Sequence, residues 1–213
     1  MAVVGIVPAA GSGERLGASG PKAFALCGGR PLLDWTLDVL EAVCDRVVVA
    51  VPPGYEEPPD RVTGGPSRSA SVRAGLAAAP EAEIAVVHDA ARPLVSRGLV
   101  ERCIEALDDG YDGAVAAAPV SDTIKQADQS GRVVGTLDRS TLWAIQTPQV
   151  FRAEVLRRAL DVDDAALAAA TDDASLVEAA GGSVRVIEAP AENLKVTRRV
   201  DLELAEALLR ARC

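Results

Sequence analysis

Several residue types on which enzyme chemistry often depends are scarce in this chain. Histidine occurs once in 213 residues, as His88. That excludes a multi-histidine metal centre, and no Ser-His-Asp arrangement can be assembled around it. A lone histidine beside an apolar run reads as a packed, hydrogen-bonded residue. The four cysteines, Cys27, Cys44, Cys103 and Cys213, form no C-x-x-C pair and read as buried or incidental thiols in a reducing cytosol. No uninterrupted apolar segment approaches the length of a membrane span. The N-terminus shows no basic region followed by an apolar run and a cleavage site, so the expectation is a cytoplasmic protein without a signal peptide or membrane contact. Basic residues are outnumbered, 22 against 31 acidic ones, for a formal charge of −9. That balance argues against general nucleic-acid binding, which needs basic surface to meet phosphates. Lysine itself is rare: Lys22, Lys125 and Lys195 stand against 19 arginines. Either three is a chance number, or lysine is kept where a compact point charge is needed, which draws attention to Lys22 and Lys195.

What the chain does have is apolar content of 49 % with scattered charges, the mark of a folded domain, and a length suited to one sizeable domain. Strand-like apolar runs at 3–7, 47–51, 84–87, 114–118 and 184–187 alternate with helical patterns at 32–43, 71–79, 97–107, 155–160 and 201–209. Such alternation, with strands apolar enough to be covered on both faces, predicts an α/β fold of three layers around a mostly parallel sheet. Pro31 suits the first turn of the helix that begins there. The rhythm breaks after Pro119. Residues 122–143 alternate weakly about a Q-S-G-R turn and read as a β-hairpin projecting from the sheet, whose exposed edge a partner subunit would cover.

The densest feature is V-V-G-I-V-P-A-A-G-S-G-E-R-L-G-A-S-G-P-K, residues 3–22. A buried strand ends at Pro8, and four glycines follow at 11, 13, 17 and 20. Glycines allow several backbone N–H groups to converge on one anion, and Arg15 and Lys22 add two cations. This is not the dinucleotide fingerprint, because the third glycine would fall at Leu16. Nor is it a P-loop, because Pro21 separates Gly20 from Lys22 and Ala23 follows. Two readings stand: a phosphate-binding nucleotide loop, or a glycine-rich surface loop.

Later segments carry similar double readings. In T-G-G-P-S-R-S-A-S, residues 63–71, Gly64 and Gly65 allow close approach, and Ser69 or Ser71 can cap a helix. Asp89, just past an apolar run in H-D-A-A-R-P, can hold Mg²⁺ through one or two oxygens or can cap a turn. Thr147 of Q-T-P-Q-V-F can serve structure or substrate. Thr171 of T-D-D-A-S, or an Asp beside it, can cap a helix, and a helix start also favours phosphate. Lys195 of N-L-K-V-T reads as a surface lysine or a functional one.

Together P-A-A-G-S-G-E-R-L-G with P-K, H-D-A-A-R-P, Q-T-P-Q-V-F, T-D-D-A-S and N-L-K-V-T resemble, in order and over nearly the whole chain, the 2-C-methyl-D-erythritol 4-phosphate cytidylyltransferase family of sugar-phosphate nucleotidyltransferases. The resemblance implies a Rossmann-like nucleotidyltransferase fold, one domain over 1–213 with 120–142 as a dimerisation arm. It implies cytidylyl transfer from CTP to 2-C-methyl-D-erythritol 4-phosphate with a divalent metal, expected to be Mg²⁺, in a homodimer. It also implies roles. Arg15 and Lys22 would stabilise charge on the phosphates, and Asp89 would hold the metal. Pro8, Ala9, Ala10, Gly11, Gly13, Gly65, Ser71, Asp89, Ala90, Arg92 and Lys195 would line the nucleotide pocket. Thr123 and Arg139 of a second subunit, with Thr171 and Lys195, would hold the co-substrate. Position 66 departs from the family's usual acidic residue: Pro66 has no N–H to offer a base. A pentitol-phosphate cytidylyltransferase, a non-catalytic nucleotide-binding module and a dehydrogenase are the competing readings, the last disfavoured by Leu16.

Overall fold

The computed structural model describes residues 1–13, 16 and 20–212; among the sequence candidates, Arg15 lies outside the described residues. Seven strands form one sheet: β1 (Val3–Pro8), β4 (Arg46–Val51), β5 (Arg61–Thr63), β6 (Ile84–Val87), β7 (Gly113–Pro119), β10 (Trp143–Arg152) and β11 (Val184–Glu188). Two short pairs stand apart from it, β2 (Leu26–Cys27) with β3 (Arg30–Pro31), and β8 (Lys125–Ala127) with β9 (Val133–Thr136). The helices are α1 (Leu32–Leu40), α2 (Arg68–Ala77), α3 (Arg97–Glu105), α4 (Ala153–Leu160), α5 (Asp164–Ala169), α6 (Asp173–Ala179) and α7 (Arg199–Arg212).

The sheet order is β11-β7-β10-β6-β1-β4-β5. All its neighbours are parallel except β10, which runs antiparallel to both β6 and β7. Side chains alternate faces along each strand, and the core splits accordingly. Val7, Ile84, Val86, Ala114 and Ala116 join Leu33 and Leu40 of α1 and Leu99 and Val100 of α3. Val4, Ile6, Ala85, Val87 and Val115 join Val72 and Leu76 of α2, Leu156 and Leu160 of α4 and Val177 of α6. A third cluster seats Ala205 and Leu209 of α7 against Cys27, Leu32, Leu94 and Val196. Helix α2 lies close on β1 because Gly75 has no side chain: a Cβ there would sit 2.7 Å from Ile6 Cγ2.

The expected mostly parallel α/β sheet and the hairpin are both present. Three local readings change. Strand β10 was not expected as one element, because Pro148 removes a donor from its middle; the register shifts between Ile145 and Gln149, which accommodates the proline within a bulge. Pro31 occupies the N-cap of α1 rather than its first turn. Helix α2 starts one turn before the expected 71, and its cap is Ser67, which accepts from the Ala70 N–H at 3.2 Å, not Ser69 or Ser71.

Candidate active site

Strands β1, β4 and β5 run outward in one direction from the sheet centre, and β6 returns on the other side of β1. The crevice between the loops that follow β1 and β6 is therefore the switch point where ligands of open α/β sheets bind. A cleft of about 330 Å³ opens there. It is lined by Pro8, Ala9, Ala10 and Gly11 after β1, Lys22 and Ala23, Gly65 to Arg68 and Ser71 at the start of α2, Asp89 to Ala91 after β6, and Lys195. Among the described residues its charged side chains are three cations, Lys22, Arg68 and Lys195, and one anion, Asp89. A second cleft of about 490 Å³ adjoins it and is lined by Arg92, Gln146, Thr147, Gln149, Thr171, Asp172 and others. Arg68, Asp89 and Lys195 line both.

Local sequence explains the first wall. Ala9 N–H donates to Ala50 O at 2.7 Å, and Lys22 N–H donates to Gly11 O at 3.1 Å, so the loop after β1 folds back with Lys22 beside it. Gly13 adopts φ +77°, and a Cβ there would meet the Lys22 backbone at 3.0 Å. Gly65 is held from behind: its N–H donates to Ser71 Oγ at 3.1 Å, while the Ser71 hydroxyl donates to Ser67 O at 3.0 Å. A side chain at Gly65 would strike Ala70, at 2.5 Å from its Cβ.

Asp89 accepts from Arg68 Nε on Oδ1 at 2.9 Å and from Lys195 Nζ on Oδ2 at 2.6 Å. Burial opposes its ionisation, but Arg68 and Lys195 outweigh that and hold its carboxyl well below the usual carboxylate range. Arg68 also reaches Asp173 Oδ2 with Nη1 at 2.5 Å. Burial works against its charge as well, and the carboxylates of Asp89 and Asp173 push the guanidinium the other way, above its ordinary value. Among the described residues no three His, Cys, Asp or Glu side chains gather as a metal cage. Asp89 supplies one ionised carboxylate at the cleft. One carboxylate, shared with Arg68 and Lys195, would suit a Mg²⁺ that takes most of its ligands from phosphate and water.

Behind Asp89 lies a proton-ordered network. His88 Nε2 is 3.2 Å from Arg92 O, which can only accept, so Nε2 carries the proton. His88 Nδ1 then accepts from the Thr147 hydroxyl at 3.1 Å, and Thr147 Oγ1 accepts the Asp89 N–H at 3.1 Å. Thr147 lines the second cleft, but its hydroxyl is committed to this network. Arg92 is buried, donates to Asn193 O at 2.7 Å, and so ties down the segment that carries Lys195. It lines the second cleft rather than the first.

Complete burial pushes His88 down from 6.5 to about 4, with the charge of Asp89 acting in the opposite sense. The unfolded chain takes up a proton there below about 6.5 that the folded chain refuses until about 4, so stability falls as pH drops through that window. Urea unfolding at about pH 7 and about pH 5 is expected to show this loss, by at most about 1.4 kcal/mol per pH unit, and His88→Gln is expected to reduce it. Equal pH slopes in wild type and variant would contradict the assignment.

Most of the other sequence candidates line a cleft, but Gly13, expected in the nucleotide pocket, lines neither and instead packs against the Lys22 backbone. Pro8, Ala9, Ala10, Gly11, Lys22, Gly65, Ser71, Asp89, Ala90 and Lys195 line the first cleft, and Thr171 and Lys195 the second. Thr171 is not the helix cap; Asp172 is, accepting from the Ser175 N–H at 2.9 Å. Thr123 and Arg139 are exposed on or beside the hairpin and line neither cleft; Arg139 Nη1 donates to Ser121 O.

Comparison with known proteins matches residues 3–211 to the family described as 2-C-methyl-D-erythritol 4-phosphate cytidylyltransferase (IspD). The chain belongs to this family. The cytidylyltransferase of Nocardia farcinica is 46 % identical over 219 residues, covering 97 % of this chain and 94 % of the relative. That of Rhodococcus jostii is 47 % identical, with 97 % and 95 % covered. The crystal structure of the Thermus thermophilus enzyme superposes with a TM-score of 0.84 at 41 % identity, covering 99 % of this chain and all of that one.

Sequence reasoning about this cytidylyltransferase-family chain missed Arg68, Asp173 and Asn193. Asn193 is buried; its side-chain N–H groups reach Gln146 Oε1 at 2.7 Å and Thr147 O at 3.0 Å, and its Oδ1 has no partner among the described residues. Arg68 lay within a segment already singled out, yet no spacing rule connects it to an aspartate 105 positions away.

Proposed function

We propose that the protein transfers the cytidylyl group of CTP to 2-C-methyl-D-erythritol 4-phosphate, releasing pyrophosphate and giving 4-diphosphocytidyl-2-C-methyl-D-erythritol, an isoprenoid precursor of the non-mevalonate route. The observation that carries this reading is the cleft with three cations and one anion, in a chain of net charge −9, within a family that performs this chemistry. A phosphate oxygen of the co-substrate attacks the α-phosphorus of CTP, and the bond to the bridging oxygen of pyrophosphate breaks. A phosphate monoester is largely ionised at neutral pH, so no general base is needed, which suits a site whose only histidine is buried behind it. Catalysis is then positioning and charge stabilisation.

Lys22, with Arg15, meets charge that builds on the phosphates. Gly11 and Gly65 let the nucleotide approach the main chain, and Ser71 stiffens that wall at the base end. Asp89 would hold Mg²⁺, which when bound neutralises phosphate oxygens. Thr171 and Lys195 hold the co-substrate in the second cleft. Thr123 and Arg139 come from the hairpin of a second subunit in a homodimer. Support for that arrangement is the exposed apolar surface on and beside the hairpin, Val133, Val134, Leu137, Trp143 and Ile145, each at least 37 % exposed. No helix among the described residues is long and apolar enough to cross a membrane, and the reading includes cytoplasmic placement, with Cys27, Cys44 and Cys103 as buried thiols outside any disulfide.

Pyrophosphate release measured with each of the four nucleoside triphosphates, alone, with the methylerythritol phosphate and with a pentitol phosphate, tests the reading. Release is expected with CTP only and only with co-substrate present. Equal turnover with a pentitol phosphate, or release with another nucleotide, would refute the substrate assignment.

A further inference from the structure

Four charges of alternating sign form a row: Arg68, Asp89 and Lys195, which line both clefts, and Asp173, buried behind Arg68. Arg68 Nη1 meets Asp173 Oδ2 at 2.5 Å, Arg68 Nε meets Asp89 Oδ1 at 2.9 Å, and Lys195 Nζ meets Asp89 Oδ2 at 2.6 Å. The two ends of this chain are anchored differently. The Asp173 side chain is wholly buried in the first turn of α6. Arg68 opens α2 directly behind its Ser67 cap. Lys195 is 42 % exposed, stands in a segment without regular structure before α7, and lines both clefts.

Lys195 is therefore the member free to turn. A phosphorylated ligand in the second cleft competes for its ammonium with Asp89, since a dianion attracts it at least as strongly at equal distance. Once Lys195 turns to that phosphate, Asp89, with a side chain only 11 % exposed, keeps Arg68 as its one protein cation, beside any metal that arrives with the triphosphate. A buried carboxylate stripped of its partners is strongly unfavourable. The residue that prevents this is Arg68, whose rigid guanidinium sets Nε on Asp89 and Nη1 on Asp173 at a fixed spacing that the point charge of a lysine ammonium does not reproduce. Its own position is fixed from the far side by Asp173.

We propose that Arg68 is a positioning residue for the transfer reaction. Anchored by Asp173, it holds Asp89 in place when Lys195 leaves for the phosphorylated co-substrate, so its contribution appears only with both clefts filled. This rests on the transfer reaction proposed above.

The decisive variant is Arg68→Lys, which keeps one positive charge but loses the rigid two-nitrogen geometry that fixes both carboxylates. Its kcat for pyrophosphate release is expected to fall about 50-fold, as for a misplaced catalytic group. KM for CTP, and CTP affinity and stoichiometry by calorimetry without co-substrate, are expected to stay within about three-fold of wild type. Asp173→Asn is expected to lower kcat when Arg68 is present and to add nothing to Arg68→Met, because Asp173 acts through Arg68. Should Arg68→Met fail to fold, Arg68→Lys and Asp173→Asn alone carry the test. A folded Arg68→Lys enzyme with unchanged kcat, a loss residing in CTP binding, or additive effects in the double variant would overturn the proposal. Wild type measured in parallel separates the two ideas: an inactive wild type sinks the transfer reaction, an active one with normal Arg68 variants sinks only this inference.

Discussion

Lys22→Ala is expected to lower turnover about 1,000-fold while leaving the melting temperature within a few degrees of wild type. The loss is set by electrostatics. A preorganised cation aimed at developing phosphate charge is worth about 10²- to 10³-fold in a water-poor cleft, and one of the three cations that line the first cleft among the described residues would be gone. The fold is expected to survive because Lys22 is only half-buried, in a three-residue turn of 3-10 helix whose buried member is Ala23. The backbone bond from Lys22 N–H to Gly11 O does not depend on the side chain. Turnover by pyrophosphate release and stability by calorimetry check the two halves separately. A folded variant with near wild-type kcat would remove Lys22 from the chemistry.

Arg139→Ala is expected to cost about 300-fold in turnover, the scale for deleting one charged contact to a reacting phosphate, and the loss should act across the dimer. Within one chain Arg139 lies beside the hairpin, exposed, outside both clefts, its guanidinium bonded to Ser121 O. Strands β8 and β9 pair only with each other. If the hairpin reaches a partner, a heterodimer of Arg139→Ala with Lys22→Ala contains one intact site. That site combines the cleft of the first variant with the partner subunit's Arg139. A statistical one-to-one mixture should then recover at most about a quarter of wild-type activity, because half the dimers are mixed and each has one working site of two. Purified, differently tagged heterodimers that stay inactive would argue that each hairpin serves its own chain. A monomer by sedimentation would refute the shared site outright.

How much of this could be read from the sequence follows from the range of the interactions involved. The α/β class came from local periodicity: apolar runs such as 84–87, long enough for a strand and apolar on both faces, can sit only inside a covered sheet. The loop after β1 was legible because its glycines and Lys22 lie within one continuous segment. Strand β10 was not, because Pro148 is a local signal for a break, and only pairing with β6 on one side and β7 on the other, around a bulge, overrides it. The cap of α2 was displaced by one turn because several serines in S-R-S-A-S satisfy the same local rule, and backbone geometry at Ser67 chooses among them.

By itself, then, the amino-acid order determined the layer architecture and the likeness to a transferase family, and it marked the glycine-rich segment with Lys22 as a candidate, since each is written in neighbouring residues. The three-dimensional arrangement decided that Thr147 closes a proton network behind Asp89 and that Arg92 belongs to the second cleft. It also decided that Arg68 stands between Asp89 and Asp173. Such ion pairs join residues 21 and 105 positions apart. Their partners are chosen by which strand and helix ends the sheet brings together, and no local pattern encodes that choice.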